Sequence, residues 1–268
     1  MTKSSTTKTA EANLADKKVY SEIAATLRES LNLRQTPVAI SLTDSVPAGV
    51  NNFEGYAPAG CRFWEDATKN AFATSATDHK MCAIGVYTHN LQPSSMQQTD
   101  LHDALQVFSD LGYVTSQDLA LIPVLPTRPK YIVYCPLAET PVSPDVVLTF
   151  VNANQTLILS EATQQVENQN PPAMGRPACA VIPQVMNTGR AALSSGCCGA
   201  RAYLDILDDG IAVFAIPGAK LEAYASRIQA LAKANGVLAA FHKIRRRDIA
   251  AGLTPTIKES LAALQASQ

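Results

Sequence analysis

Apolar side chains recur with a helical period in several parts of the chain. From about Asp16 to Leu33 they form the single stripe of an amphipathic helix, at Val19, Ile23, Ala24, Leu27 and Leu31. A second stripe predicts a helix over about 100–112 that ends near Gly112, with one apolar face made of Leu101, Ala104, Leu105 and Phe108. Similar patterns predict helices over about 153–166 and 220–234 and a weak last helix.

Short apolar and β-branched runs between these helices predict strands. They cover Pro37 to Leu42, Tyr131 to Pro136, Asp145 to Val151 and Ile211 to Ile216. A helix from Cys61 through about Ala73, and another from Cys179 to Leu193, are expected to follow turns that carry cysteine. Strands and helices that alternate in this way predict an α/β (or α+β) fold.

The spacing of the cysteines suggests an internal duplication. Cys82 follows Cys61 by 21 residues and Cys198 follows Cys179 by 19, and in each case a tyrosine, Tyr87 or Tyr203, stands five residues further on. These matched spacings predict two pseudo-duplicated halves, each a strand-loop-helix unit with cysteines at its turns. The expected division is a flexible polar tail over 1–13, a first half over 14–128, a second half over 129–250 and a carboxy-terminal extension over 251–268.

The composition excludes several classes of protein. The chain has 268 residues and is 47% hydrophobic, so a globular core is expected. Its formal charge is −1, so no positive electrostatic field that would attract nucleic acid is expected. We see no signal-peptide pattern and no run of ~18 apolar residues that could span a membrane. We therefore predict a cytoplasmic protein with no nucleic-acid or membrane partner, and a homo-oligomer is left open.

In a reducing compartment, clustered cysteines point to metal, cluster or redox chemistry rather than to disulfides. If the halves pack face to face, Cys61, Cys82, Cys179 and either Cys197 or Cys198 could converge on one 4Fe–4S iron–sulfur cluster. A structural zinc site is less expected, because no C-x-x-C pair is present. The leading hypothesis is accordingly an iron–sulfur oxidoreductase with an electron-transfer partner.

Two alternatives stay open. Arg62, Arg176 and Arg201, each within three residues of a cysteine, could bind a small anionic molecule without any metal. A thiol enzyme could use Cys198 or Cys197, which lie between two glycines and near Arg201. No catalytic residue is assigned, and neither the substrate nor the electron partner can be read from the residues.

The chain resembles a family of prokaryotic proteins known as domain of unknown function 169. The matching segments span about 35–235 and include Cys61-Arg62-Phe63-Trp64, Cys82-Ala83-Ile84-Gly85 and Gly175-Arg176-Pro177-Ala178-Cys179. The resemblance implies a prokaryotic cytoplasmic protein with recurring cysteines and little more. The doubled Cys197-Cys198 leaves open which of the two is functional.

Overall fold

The computed structural model of the protein describes residues 14–174 and 177–266. Its first part contains these helices and strands: α1 (Leu14–Leu31), β1 (Val38–Thr43), β2 (Asn51–Asn52), α2 (Arg62–Asp66), β3 (Phe72–Thr74), α3 (Ala83–Thr88), α4 (Ser95–Asp110), α5 (Ser116–Ala120) and β4 (Tyr131–Pro136). The second part contains β5 (Val146–Val151), α6 (Ala153–Glu167), β6 (Ala173–Met174), α7 (Val181–Thr188), β7 (Ala192–Ser194), β8 (Ala212–Pro217), α8 (Leu221–Ala250) and α9 (Ile257–Ala266).

Within the described residues the strands form one eight-stranded sheet in the order β2-β3-β4-β1-β5-β8-β7-β6. The outermost pairs, β2 with β3 and β6 with β7, are parallel, and all the other neighbours are antiparallel. A single sheet combined with helices confirms the α/β (or α+β) prediction.

The strand order reads the same from the centre of the sheet to either edge. When β1–β4 and β5–β8 are taken as the two halves, the first strand of each is innermost, followed outward by the fourth, the third and the second. The registers agree as well, since Val38 lies opposite Pro136 and Val146 lies opposite Pro217. The two halves meet where Ala39 pairs with Val147. The connectivity is thus repeated, while superposition of the halves in three dimensions stays a prediction.

Alternating side chains of the strands supply two cores, one on each face of the sheet. On one face Ala39, Cys135 and Val147 pack with apolar residues of α1, α6 and α8. On the other face Ile40, Tyr134 and their neighbours pack with α2, α7 and the cysteine-bearing turns. Cys135 therefore fills the helix-covered core, as expected of a strand residue, and lies on the opposite face from the other cysteines.

Two predicted helices after the cysteine turns are wrong in length. The helix predicted from Cys61 through about Ala73 ends at Asp66, and β3 occupies the end of the predicted range. The helix predicted from Cys179 to Leu193 is instead a 3-10 turn (Ala178–Ala180) followed by α7, and β7 begins at Ala192. The cause is the same in both places: each short strand has only three residues, too few to leave a period in the sequence.

The predicted domain limits are not tested by this architecture, although β4, which lies beyond residue 128, pairs with β1 and β3. The prediction of a flexible tail over 1–13 lies outside the described residues. No helix in the described ranges is both long enough and apolar enough to cross a bilayer.

Candidate functional site

Four turns on one face of the sheet carry the cysteines. Cys61 directly precedes α2, and Cys179 lies in the 3-10 turn before α7. Cys82 precedes α3, and its Sγ accepts a hydrogen bond from the Gly85 amide at 3.2 Å. Cys198 precedes a five-residue π-helix, Gly199–Tyr203. In both halves, one cysteine therefore precedes the helix before the third strand and another precedes the helical turn after it.

These four cysteines and Cys197 all line one cavity of about 580 Å³. The cavity lies between α3, α4 and α5 on one side and the turns that carry Cys179, Cys197 and Cys198 on the other. Tyr87 and Tyr203, the tyrosines of the sequence repeat, also line it. The structure thus brings together the cysteines that the sequence singled out, along with both tyrosines.

The thiols in the floor of the cavity are held in the neutral form. Burial raises the pKa of Cys61 well above its ordinary value, and the neighbouring thiols of Cys179, Cys82 and Cys197 add to the rise. Burial also raises the pKa of Cys179 and, in part offset by amides of Gly60 and Gly85, that of Cys82. Three neutral thiols in the wall of one cavity make a weakly polar, polarisable surface.

A buried polar layer lies against these thiols. The Thr88 hydroxyl is 3.4 Å from Sγ of Cys179 and also donates to the Gly85 carbonyl. Tyr134, from the centre of the sheet, is fully buried, and its hydroxyl has no hydrogen-bond partner among the described residues. Burial, followed by the charges that Cys179, Cys61 and Cys82 could carry, raises the pKa of Tyr134. The hydroxyl is therefore close to the thiols and stays protonated.

Two buried histidines complete this layer. His89 places Nδ1 at 2.9 Å from the Gly85 carbonyl, so Nδ1 carries the hydrogen and Nε2 is a bare acceptor. His79 places Nε2 at 3.2 Å from Thr74 Oγ1, whose own hydrogen goes to the Ile132 carbonyl, so Nδ1 of His79 is the bare nitrogen. Burial lowers the pKa of His79 to about 3 and that of His89 to about 4. Both rings are neutral at pH 7.

The wall opposite the thiols is the apolar stripe of α4. The residues predicted to form one face of this helix, Leu101, Ala104, Leu105 and Phe108, all line the cavity. Each is only half-buried, because part of this face borders the cavity. Large apolar side chains also surround the opening: Met81 is 47% exposed, Tyr87 45% and Tyr203 64%.

The arginines are not arranged as a shared anion site. Arg62 forms a surface ion pair with Glu65 at 2.7 Å. Arg201 donates to the carbonyls of Ser195, Asp208 and Ile211 at 2.7–3.1 Å, so it ties the Cys197-Cys198 turn to the loop before β8. Arg176 lies outside the described residues. Neither Arg62 nor Arg201 lines the cavity.

The predicted iron–sulfur function is wrong. Among the described residues, no group of three or more histidine, cysteine, aspartate or glutamate side chains could hold a metal ion. The anionic-ligand alternative gains no support, because the described residues that line the cavity include no cationic side chain. The 4Fe–4S cofactor itself stays a prediction.

Sequence reasoning missed Thr88, His89 and Tyr134. Tyr134 lies in a strand where an aromatic residue is ordinary, and Thr88-His89 ends a six-residue helix. The one available signal was the position of His89, two residues after Tyr87, which belongs to the repeated spacing. Its burial depends on packing that a linear pattern does not contain.

Comparison with known proteins gives one match. Residues 26–227 match the family model of domain of unknown function 169, described as Uncharacterised ArCR. No curated protein and no solved structure gives a significant match to this chain. Since the match covers most of the chain, including every cysteine and histidine of the site described above, this protein belongs to the domain of unknown function 169 family.

Proposed function

We propose that this protein binds an apolar small molecule in the cavity between α4 and the cysteine-bearing turns. The observation that carries the proposal is the α4 stripe, an apolar helix face whose half-buried side chains line a cavity of about 580 Å³. Ligand pockets typically measure about 300–1,000 Å³ and have mostly apolar walls. A bound molecule would cover side chains that are otherwise left half-exposed.

The cysteines have a packing role in this proposal. Neutral thiols are small and polarisable, so they contact an apolar ligand without the desolvation that a charged floor would require. We also place this function in the cytoplasm, because six unpaired cysteines are typical of a reducing compartment.

The proposal is tested by filling the cavity from the helix side. Ala104→Trp puts an indole into the space beside the thiols, and Gln106→Trp puts the same side chain on the exposed face of the same helix. The probe is N-phenyl-1-naphthylamine, an uncharged dye whose fluorescence rises in apolar surroundings. We expect saturable binding of one dye per chain to the wild-type protein, at least tenfold weaker binding to Ala104→Trp and wild-type binding to Gln106→Trp. Absence of saturable binding, or equal affinities of the two variants, would overturn the proposal.

A further inference from the structure

The charges around the cavity indicate which apolar molecules it accepts. Of the described residues that line it, Asp100 alone is charged, and no lysine, arginine or histidine is among them. Asp100 is exposed and makes no ion pair with the described residues. A ligand carboxylate or phosphate would meet no cationic side chain among these described residues, whereas a cation would meet an available carboxylate.

The position of Asp100 along α4 places this charge at one end of the cavity. Asp100, Ala104 and Phe108 follow one another at intervals of four, so they form one row over about two turns, or ~12 Å, of the helix. Tyr87 lies near the Asp100 end, because Tyr87 and Leu101 also border a second, smaller cavity of about 220 Å³. The carboxylate and a partly exposed aromatic ring thus share one end of the site.

Aromatic rings are frequent on the rest of the wall. Besides Tyr87, the rings of Phe108, Tyr113 and Tyr203 line the cavity. The face of such a ring attracts a cation within about 6 Å, and the attraction grows when water is excluded. An aromatic wall with a single carboxylate is the combination that recognises an ammonium group attached to an apolar body.

We propose that the ligand is an apolar amine, bound in its protonated form. Its carbon skeleton lies between the α4 stripe and the thiols, and its ammonium group lies near Asp100 and Tyr87. This assignment rests on the proposed function, because it names the class of molecule that the same cavity takes up.

The experiment compares two compounds of nearly equal shape, 1-naphthylmethylamine, which is protonated at pH 7, and uncharged 1-naphthalenemethanol. Titration calorimetry of the full chain should give an affinity for the amine about three- to tenfold higher than for the alcohol, the size expected of one ion pair with a cation–π contact. Asp100→Asn should remove most of this preference, because the amine should lose more affinity than the alcohol. The control Asp103→Asn, on an exposed position of the same helix, should retain the full preference.

Tyr87→Leu provides an independent variant, in which the amine should lose more affinity than the alcohol. Equal affinities of the wild-type protein for both compounds, or a preference that survives in Asp100→Asn, would overturn the assignment while the cavity still binds. If neither compound binds, the proposed function fails, and the assignment fails with it.

Discussion

The buried histidines should make the protein strongly sensitive to mild acid. The pKa of His79 is lowered to about 3 and that of His89 to about 4, in both cases chiefly by burial, whereas the unfolded chain takes up these protons near the ordinary pKa of about 6.5. Below pH 6.5 the unfolded state therefore binds more protons than the folded state, and stability falls as the pH drops. At pH 5 each histidine costs about 2 kcal/mol, so the pair costs about 4 kcal/mol relative to pH 7.5.

Urea unfolding, followed by the fluorescence of Trp64 at several pH values between 5 and 7.5, measures this loss. His89→Asn keeps an amide that can donate to the Gly85 carbonyl but removes the titrating ring, so it should reduce the pH-dependent loss by about half. His102→Gln is the control, since His102 lies exposed on α4, and it should leave the pH dependence as in the wild-type protein. A free energy of unfolding that stays constant from pH 7.5 to 5 would refute the burial argument for both rings.

Two further comparisons test the thiols and the arginines. In labelling with N-ethylmaleimide at pH 7.5, followed by peptide mass spectrometry, exposed Cys198 should react faster than Cys179 by on the order of 100-fold, because Cys179 is buried and its pKa is raised; labelling of both at one rate would show that the floor of the cavity is open to solvent. Arg201→Met should lower the free energy of unfolding by about 3 kcal/mol through the loss of several carbonyl partners, whereas Arg62→Met should cost less than about 1 kcal/mol. Equal costs in urea unfolding would contradict the structural role of Arg201.

The longer elements could be predicted from the sequence because each has a period of its own. The amphipathic stripe of α1, the β-branched run of β5 and the apolar face of α4 all lie where the pattern put them. The short strands β2, β3, β6 and β7 could not be found in this way. They have two or three residues each and exist because a neighbouring strand completes their hydrogen bonds, which is a tertiary cause.

The sequence singled out the cysteines that line the cavity, and their role as metal ligands stays a prediction. The turns that carry Cys61, Cys82, Cys179 and Cys198 border one cavity. Whether such thiols bind a ligand or only pack depends on how the folded chain covers them, and here Cys61 and Cys179 are buried whereas Cys198 is exposed. The sequence contains no local signal for burial at a turn, since glycine and proline beside a cysteine fit an exposed ligand as well as a covered thiol.

The cavity lies where the element order of the first four strands differs from that of the last four. In the second half only residues 204–211 connect the π-helix to β8, whereas in the first half α4 and α5 are inserted between α3 and β4. The inserted helices have no counterpart in the other half against which to pack. As a result, the α4 stripe faces the cysteine turns of the second half across open space. A repeated scaffold would by itself give two equivalent turns, each with its cysteines and tyrosine. The inserted helices α4 and α5 cover these turns from one side and so form a pocket. On this argument the wall supplied by α4, where Asp100 and Phe108 lie, determines which ligand is bound, and the thiols of the repeated scaffold form a common floor.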